Sequence, residues 1–293
     1  MAKYTSFKDR INIKNISCSS IFSTRKIVMG ILNITDDSFY DGGKYMNKKH
    51  ILKQTKKMLE EGAEIIDIGA QSSRPGSHQI SSKEELKKII PTIKLLKKEF
   101  QDILISIDTF WAETARNSVL EGANIINDIS AGEIDNTMFE TIAELKVPYI
   151  LMHMQGTPEN MQKNPSYEDI TKEVFNFFKQ KIKLLHQKGI SDIIIDPGFG
   201  FGKTINHNYE LLNNLEQFQK LDCPILVGIS RKSMIQEVLS VSAKEALNGT
   251  TITNTLALNN GANILRVHDV KEAVECIKIY KKVKTLTIKQ GFK

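Results

Sequence analysis

Apolar positions along this chain gather in short, largely β-branched runs, with longer stretches of helical period between them. The runs are Ile27 to Leu32, Glu64 to Gly69, Ile103 to Asp108, Asn124 to Ile129, Tyr149 to His153, Asp192 to Asp196, Ile225 to Ile229 and Asn263 to Val267. Their apolar residues are nearly continuous rather than alternating, as in parallel strands covered by helices on the outer face. Eight such strands, each followed by a helical stretch, predict an α/β fold of one kind, a single (β/α)8 TIM barrel. Among the helices, Leu86, Ile89, Ile90, Ile93 and Leu96 share one face, with Ser82 as the expected N-cap. Pro91 falls inside that pattern and is expected to kink it. EGAEIIDI at 61–68, EGANIIND at 121–128 and NGANILRV at 260–267 repeat one unit, a Gly-Ala pair between helix and strand, where glycine can end the helix left-handed. The expected organisation is an N-terminal extension over residues 1–26 crossing the barrel bottom, a barrel over 27–286 and a C-terminal tail over 287–293.

Composition narrows the class. With 41% hydrophobic and 25% charged residues the chain reads as ordinary globular protein. No segment reaches the roughly 18 uncharged apolar residues that span a bilayer, and the opening MAKYTSFKDR lacks a signal peptide's apolar core, so a cytoplasmic protein without membrane partners is expected. Cys18, Cys223 and Cys276 are far apart and lack CxxC spacing, which indicates neither a disulfide framework nor a zinc cluster. The net charge of +6 arises from lysines spread over Lys48–Lys57, Lys83–Lys98 and Lys278–Lys289, not from a basic patch with interleaved aromatics. No nucleic-acid partner is expected, although a mild positive field favours an anionic small substrate.

In a barrel of this type the C-terminal ends of the strands line the active site. Those ends carry Asn33, Asp67, Asp108, Thr109, Asn127, Asp128, His153, Asp196, Ser230, Arg231, Lys232, Arg266 and His268. Asp108, Asn127 and Asp196 would suit a flat heterocycle with amino and ring N–H donors along one edge. Lys232 could meet a carbonyl or ring nitrogen, while Arg266 and His268 could hold a phosphate or stack on a ring.

The sixth strand end runs into DPGFGFGKT, Asp196 to Thr204. A phosphate-cradling GxxxxGK[ST] loop would need glycine where Pro197 stands, and a dinucleotide GxGxxG turn would need glycine where Lys203 stands. Neither nucleotide site fits. Two further loops, NITDDSFYDGG (33–43) and AQSSRPGS (70–77), have the composition of mobile lids, with Arg74 as a candidate anion clamp and Phe39 as a cover. A metal-dependent hydrolase barrel would place a His-x-His pair on the first strand, where this chain has Asn33. His153 reads as a pocket-wall or core residue.

The segments MGILNITDDSF, IIDIGAQSSRPG, SIDT, IINDI, LMHMQGTP, DPGFGFGK, GISRKSMI and RVHDV, in this order from about residue 27 to 270, resemble the dihydropteroate synthases of folate biosynthesis. The resemblance implies condensation of 6-hydroxymethyl-7,8-dihydropterin pyrophosphate with 4-aminobenzoate by SN1-like displacement, with Mg2+ as cofactor, small-molecule partners and a homodimer. It implies that Asp108, Asp196 and Lys232 are catalytic and that Asp108, Asn127, Asp196, Lys232 and Arg266 hold the pterin. Asn33, Arg74, Arg266 and His268 would hold the pyrophosphate, with Asn33 at the metal. Phe39, Ser73, Pro75, Lys232 and Ser233 would shape the aminobenzoate pocket. Departures from the family pattern are Asp36 in place of a proline, Gln71 in place of a glutamate and Ser73 in place of a threonine. The alternatives are a pterin-dependent methyltransferase of the same barrel type, which would not be expected to keep the SRKS and RPG segments, and a non-catalytic pterin-binding paralogue.

Overall fold

The computed structural model describes Phe22 and residues 25–34, 43–71 and 79–289, without the side chains of 43–47 and 286–289. All eight expected strands form: β1 Ile27–Asn33, β2 Ile65–Gly69, β3 Ile105–Asp108, β4 Ile125–Asp128, β5 Tyr149–Met152, β6 Ile193–Asp196, β7 Leu226–Val227 and β8 Ile264–Val267. Every pairing is parallel, in the order β6-β5-β4-β3-β2-β1-β8-β7. The two outermost strands meet through a single bridge, Ile195 to Ile225, and the Ile195 N–H donates to Pro224 O at 3.0 Å, which closes the barrel. The connecting helices are α1 Gly43–Glu61, α2 Ser82–Glu99, α3 Ala112–Leu120, α4 Met138–Leu145, α5 Ile170–Gln187, α6 Ile205–Asn213, α7 Ser233–Leu239, α8 Leu247–Asn259 and α9 Val270–Lys289, with a 3-10 turn at Leu215–Leu221 after α6. The last helix therefore continues past residue 286, into the expected tail.

Side chains alternate across each strand, so every second residue faces the barrel axis. At the N-terminal end the inward residues are Ile27, Met29, Ile65, Leu104, Ile125, Ile150, Ile194, Leu226 and Ile264, one buried cluster completed by Phe22 from ahead of the first strand. Phe22 is 1% exposed, and its carbonyl accepts a 2.9 Å bond from Asn263 Nδ2. The outward residues, among them Ile66, Ile107, Ile126, Leu151, Ile195 and Leu265, pack on helix residues such as Ile89, Ile93, Phe178 and Leu211 in the larger core.

One local expectation is corrected. Ser81, not Ser82, caps α2: its hydroxyl accepts from Glu84 N, and Glu84 returns a bond to the Ser81 N–H in a capping box. The helix then runs unbroken through Pro91 to Glu99. The buried face of α2 also includes Glu85, which accepts a 2.6 Å bond from Thr109 Oγ1. The repeated Gly-Ala units behave as expected, since Gly62, Gly122 and Gly261 take φ of +106°, +104° and +109° between helix and strand.

Candidate active site

Continuing each inward stripe toward the C-terminal end exchanges its hydrophobes for charge. Ile65 is followed two residues on by Asp67, Ile125 by Asn127, Ile194 by Asp196 and Ile264 by Arg266. These side chains bond to one another. Arg266 Nε donates to Asp67 Oδ2 and Arg266 Nη2 to Asp108 Oδ2, both at 2.7 Å, and Asn127 Nδ2 donates to Asp67 Oδ2 at 3.2 Å. The guanidinium thus bridges two carboxylates from adjacent strands, which fixes its plane and leaves Nη1 free of these pairs. The bond from Asn127 Nδ2 likewise leaves its amide oxygen as an acceptor.

On the opposite wall Asp196 Oδ1 accepts from Gly198 N at 2.8 Å. Lys232 Nζ donates to Phe199 O and stands 4.6 Å from the centre of the Phe201 ring. Gly198 has φ +71°, and a Cβ there would lie 1.9 Å from His153 O, so no side chain fits at this turn. A Cβ built on Gly69 would meet Asp108 Oδ2 at 3.5 Å and Asn33 Oδ1 at 3.7 Å. Asn33 and Asp108 therefore flank the same bare backbone, with Asn33 on the exposed side.

Burial governs the proton affinities here. It pushes Asp108 up to about 7, against the pull of Arg266 and with the push of Asp67, Asp128 and Asp196. Asp196 is raised by burial, with Lys232 and the Gly198 N–H opposing. Burial lowers Lys232 to about 8 while Asp196 holds it up. It lowers His268 to about 4, assisted by Arg266, so this histidine stays neutral near pH 7. His268 Nδ1 lies 3.2 Å from Ser230 Oγ.

The structure thus gathers Asp108, Asn127, Asp196, Lys232 and Arg266 at one mouth, with Asn33 and His268 at neighbouring strand ends. Ser233 is exposed as the first residue of α7. Phe39, Ser73, Arg74 and Pro75 lie outside the described residues, as does Asp36. Gln71 is described: its amide exchanges two bonds with the backbone of Ile80, at 2.9 and 3.1 Å.

Several polar strand ends serve the scaffold instead. Asp128 faces outward and accepts from Ser130 N, Ser130 Oγ, Gly132 N and Tyr149 Oη at 2.6–2.8 Å. Thr109 is bonded to Glu85. Arg231 pairs with both oxygens of Asp269 at 2.7 and 2.9 Å and donates to the carbonyls of Ala243 and Lys244. His153 is a buried wall residue, stacked edge-on against Phe177, and burial lowers it to about 2. Asp67, given no role by sequence reasoning, is the hub of the Arg266 and Asn127 bonds. Its signal was its position, two residues after an inward isoleucine.

A closed βα barrel with an acidic mouth bridged by an inward arginine has the form of a barrel enzyme. The profile of the pterin binding enzyme family matches residues 29–268. The chain is 44% identical over 254 residues to the dihydropteroate synthase of Escherichia coli strain K12, covering 86% of this chain and 89% of that one. Among solved structures it resembles a Yersinia pestis dihydropteroate synthase in complex with a sulfonamide drug, with a TM-score of 0.84, 41% identity and coverage of 90% and 96%. It also resembles the Xanthomonas albilineans dihydropteroate synthase in complex with 7,8-dihydropteroate, with a TM-score of 0.79, 35% identity and coverage of 89% and 95%. The chain belongs to the pterin-binding enzymes and, within them, to the dihydropteroate synthases, which are transferases.

Proposed function

We propose that this chain condenses 6-hydroxymethyl-7,8-dihydropterin pyrophosphate with 4-aminobenzoate to give 7,8-dihydropteroate and pyrophosphate. The observation that carries this reading is the ring of acceptors Asp108, Asn127 and Asp196 on strand ends of one barrel mouth, with Lys232 and Arg266 among them. The carboxylates and the amide oxygen accept the pterin's amino and ring N–H donors. Lys232 donates to a ring acceptor, and the fixed guanidinium plane of Arg266 lies against the ring face.

Pyrophosphate leaves from a methylene carbon conjugated to an electron-rich dihydropterin, so the C–O bond can break before the weak arylamine attacks. The amine nitrogen then bonds to that carbon and releases a proton. In an SN1-like path the transition state concentrates positive charge on the ring. Two carboxylates, the half-buried Asp108 and the buried Asp196, are placed to oppose it in a low-dielectric pocket. Arg266 Nη1, His268 and Arg74 take the departing pyrophosphate. Phe39, Ser73, Pro75, Lys232 and Ser233 form the aminobenzoate pocket, where a sulfonamide would compete.

Among the described residues no three His, Cys, Asp or Glu side chains cluster as a metal cage. A single hard oxygen, that of Asn33, at an exposed strand end suits Mg2+ that takes its other ligands from substrate phosphates and water. Asn33 would hold it there, and when bound the ion neutralises charge on the leaving group.

No helix among the described residues is long and apolar enough to cross a membrane, and we place the reaction in the cytoplasm. A homodimer is supported by Ile252 and Leu256 on α8 and Ile279 and Val283 on the adjoining α9, large apolar side chains that are 47–64% exposed.

Mixing the two substrates with purified protein and Mg2+ should release pyrophosphate and dihydropteroate in equal amounts. Release of neither product would sink this reading. Methyl transfer from a folate would favour the methyltransferase, and pterin binding without turnover the non-catalytic paralogue.

A further inference from the structure

Lys203 is 3% exposed, and its ammonium is spent inside the protein. Nζ lies 2.9 Å from Gly198 O, 2.9 Å from Phe201 O, 3.3 Å from His153 O and 3.0 Å from His153 Nδ1. The acceptors come from two neighbouring segments: the glycine turn after β6 and the end of β5. Burying an ammonium is costly unless every donor finds a partner, and here each does. The backbone gathered by these bonds is the same backbone that shapes the pterin site. Gly198, whose carbonyl Lys203 holds, turns its N–H to Asp196 Oδ1 at 2.8 Å. Phe199, the next residue, presents the carbonyl that receives Lys232. Phe201, held at its carbonyl, offers its ring to the Lys232 ammonium at 4.6 Å.

We propose that Lys203 is a positioning residue for pterin recognition, acting through the turn Gly198–Phe201 on the aim of the Asp196 carboxylate and the Lys232 ammonium, and taking no part in pyrophosphate binding. A lysine that completes a glycine-rich sequence thus serves as an internal staple of the loop. The inference rests on pterin binding at the barrel mouth as set out above.

The direct test is Lys203→Met, which keeps the length of the side chain and removes its charge and donors. Binding of the pterin substrate should weaken at least about tenfold, the order expected when a charged hydrogen-bonding group is removed from a buried site. The affinity for inorganic pyrophosphate should stay within about twofold. Tyr167→Phe supplies the control for general loosening, because Tyr167 Oη also bonds this loop, at Gly202 O and 2.7 Å, but leads to neither Asp196 nor Lys232. It should lower the melting temperature while leaving pterin affinity within about twofold. Should Lys203→Met fail to fold, His153→Phe removes one acceptor of the same ammonium and should weaken pterin binding several-fold, again without a change in pyrophosphate affinity. Unchanged pterin affinity in Lys203→Met, equal weakening in Tyr167→Phe, or parallel loss of pyrophosphate binding would each overturn the proposal. If Lys203→Met does not fold, unchanged affinity in His153→Phe overturns it. Absence of pterin binding by the unaltered protein would instead overturn the functional reading beneath it.

Discussion

The two ends of this barrel are built on the same strands, two to four residues apart in sequence, and they obey opposite rules. At the N-terminal end the inward positions are isoleucine, leucine and methionine, and Phe22 closes the cluster. At the C-terminal end the same stripe carries Asp67, Asp108, Asn127, Asp196 and Arg266. The lower end gains free energy by excluding water from apolar surface, about 25 cal/mol per Å2. The upper end takes charges out of water and recovers part of the cost through the Asp67–Arg266–Asp108 bridge. The difference teaches that stability and recognition are divided along the barrel axis, so substitutions at the two ends should fail in different assays.

The sharpest break is Asp196→Ala. It removes the acceptor proposed for the pterin and one of the two carboxylates proposed to oppose the ring's developing charge, a loss of preorganised electrostatics of about 3–4 kcal/mol. The kcat/KM for the pterin substrate should therefore fall by on the order of 10² to 10³. Steady-state kinetics with near-normal activity would show that the upper end does not work as described. Next in size is Arg266→Met, which strands the buried Asp67 and the half-buried Asp108. Loss of one partner of a buried pair costs about 3–5 kcal/mol of stability, visible in urea denaturation at pH 8. The loss should shrink toward pH 5.5, because Asp108 can escape by taking a proton, and a loss independent of pH would contradict the charge argument. At the lower end, Phe22→Ala should cost about 3 kcal/mol by opening a cavity under the strands. Its Michaelis constants should match those of the unaltered enzyme, and a raised constant for either substrate would mean that the two ends are not separable.

This division was partly legible in the sequence. The eight strands were readable because buried parallel strands leave uninterrupted runs such as Ile193–Ile195, and the mouth was readable because each run stops at a polar residue. What the sequence could not convey was which way each polar residue points. Asp108 and Asp128 end neighbouring strands in similar contexts, yet the ladder pairs Asp108 with Asn127, so Asp128, one residue further, faces outward into its turn. Thr109 and Arg231 were legible as strand-end residues but not as scaffold, since their partners Glu85 and Asp269 lie 24 and 38 residues away. Glu85 was given no role by the sequence. A charge on an apolar face carries no local mark of a partner supplied by another element. The segments carrying Phe39, Ser73, Arg74 and Pro75 are read as loops from composition alone and lie outside the described residues.

A finer division is expected in the response to pH, where the upper end should set activity and stability against each other. Burial, opposed by Arg266, raises Asp108 to about 7 from an ordinary value of 3.8. Pterin donors require the ionised carboxylate, so kcat/KM should climb through pH 7 and fall toward tenfold per unit below it. Stability has the other sign. A carboxyl whose folded pKa is raised holds its proton more tightly in the folded state, so its contribution is present at low pH and is lost as pH rises from about 3.8 through about 7. Between pH 5.5 and 7 the enzyme should therefore gain activity while Asp108 withdraws stability. Asp108→Asn should flatten this part of the stability profile while lowering activity throughout. A kcat/KM that stays level from pH 5.5 to 8 in the unaltered enzyme would mean that Asp108 is already ionised across that range and that Arg266 outweighs burial at the barrel mouth.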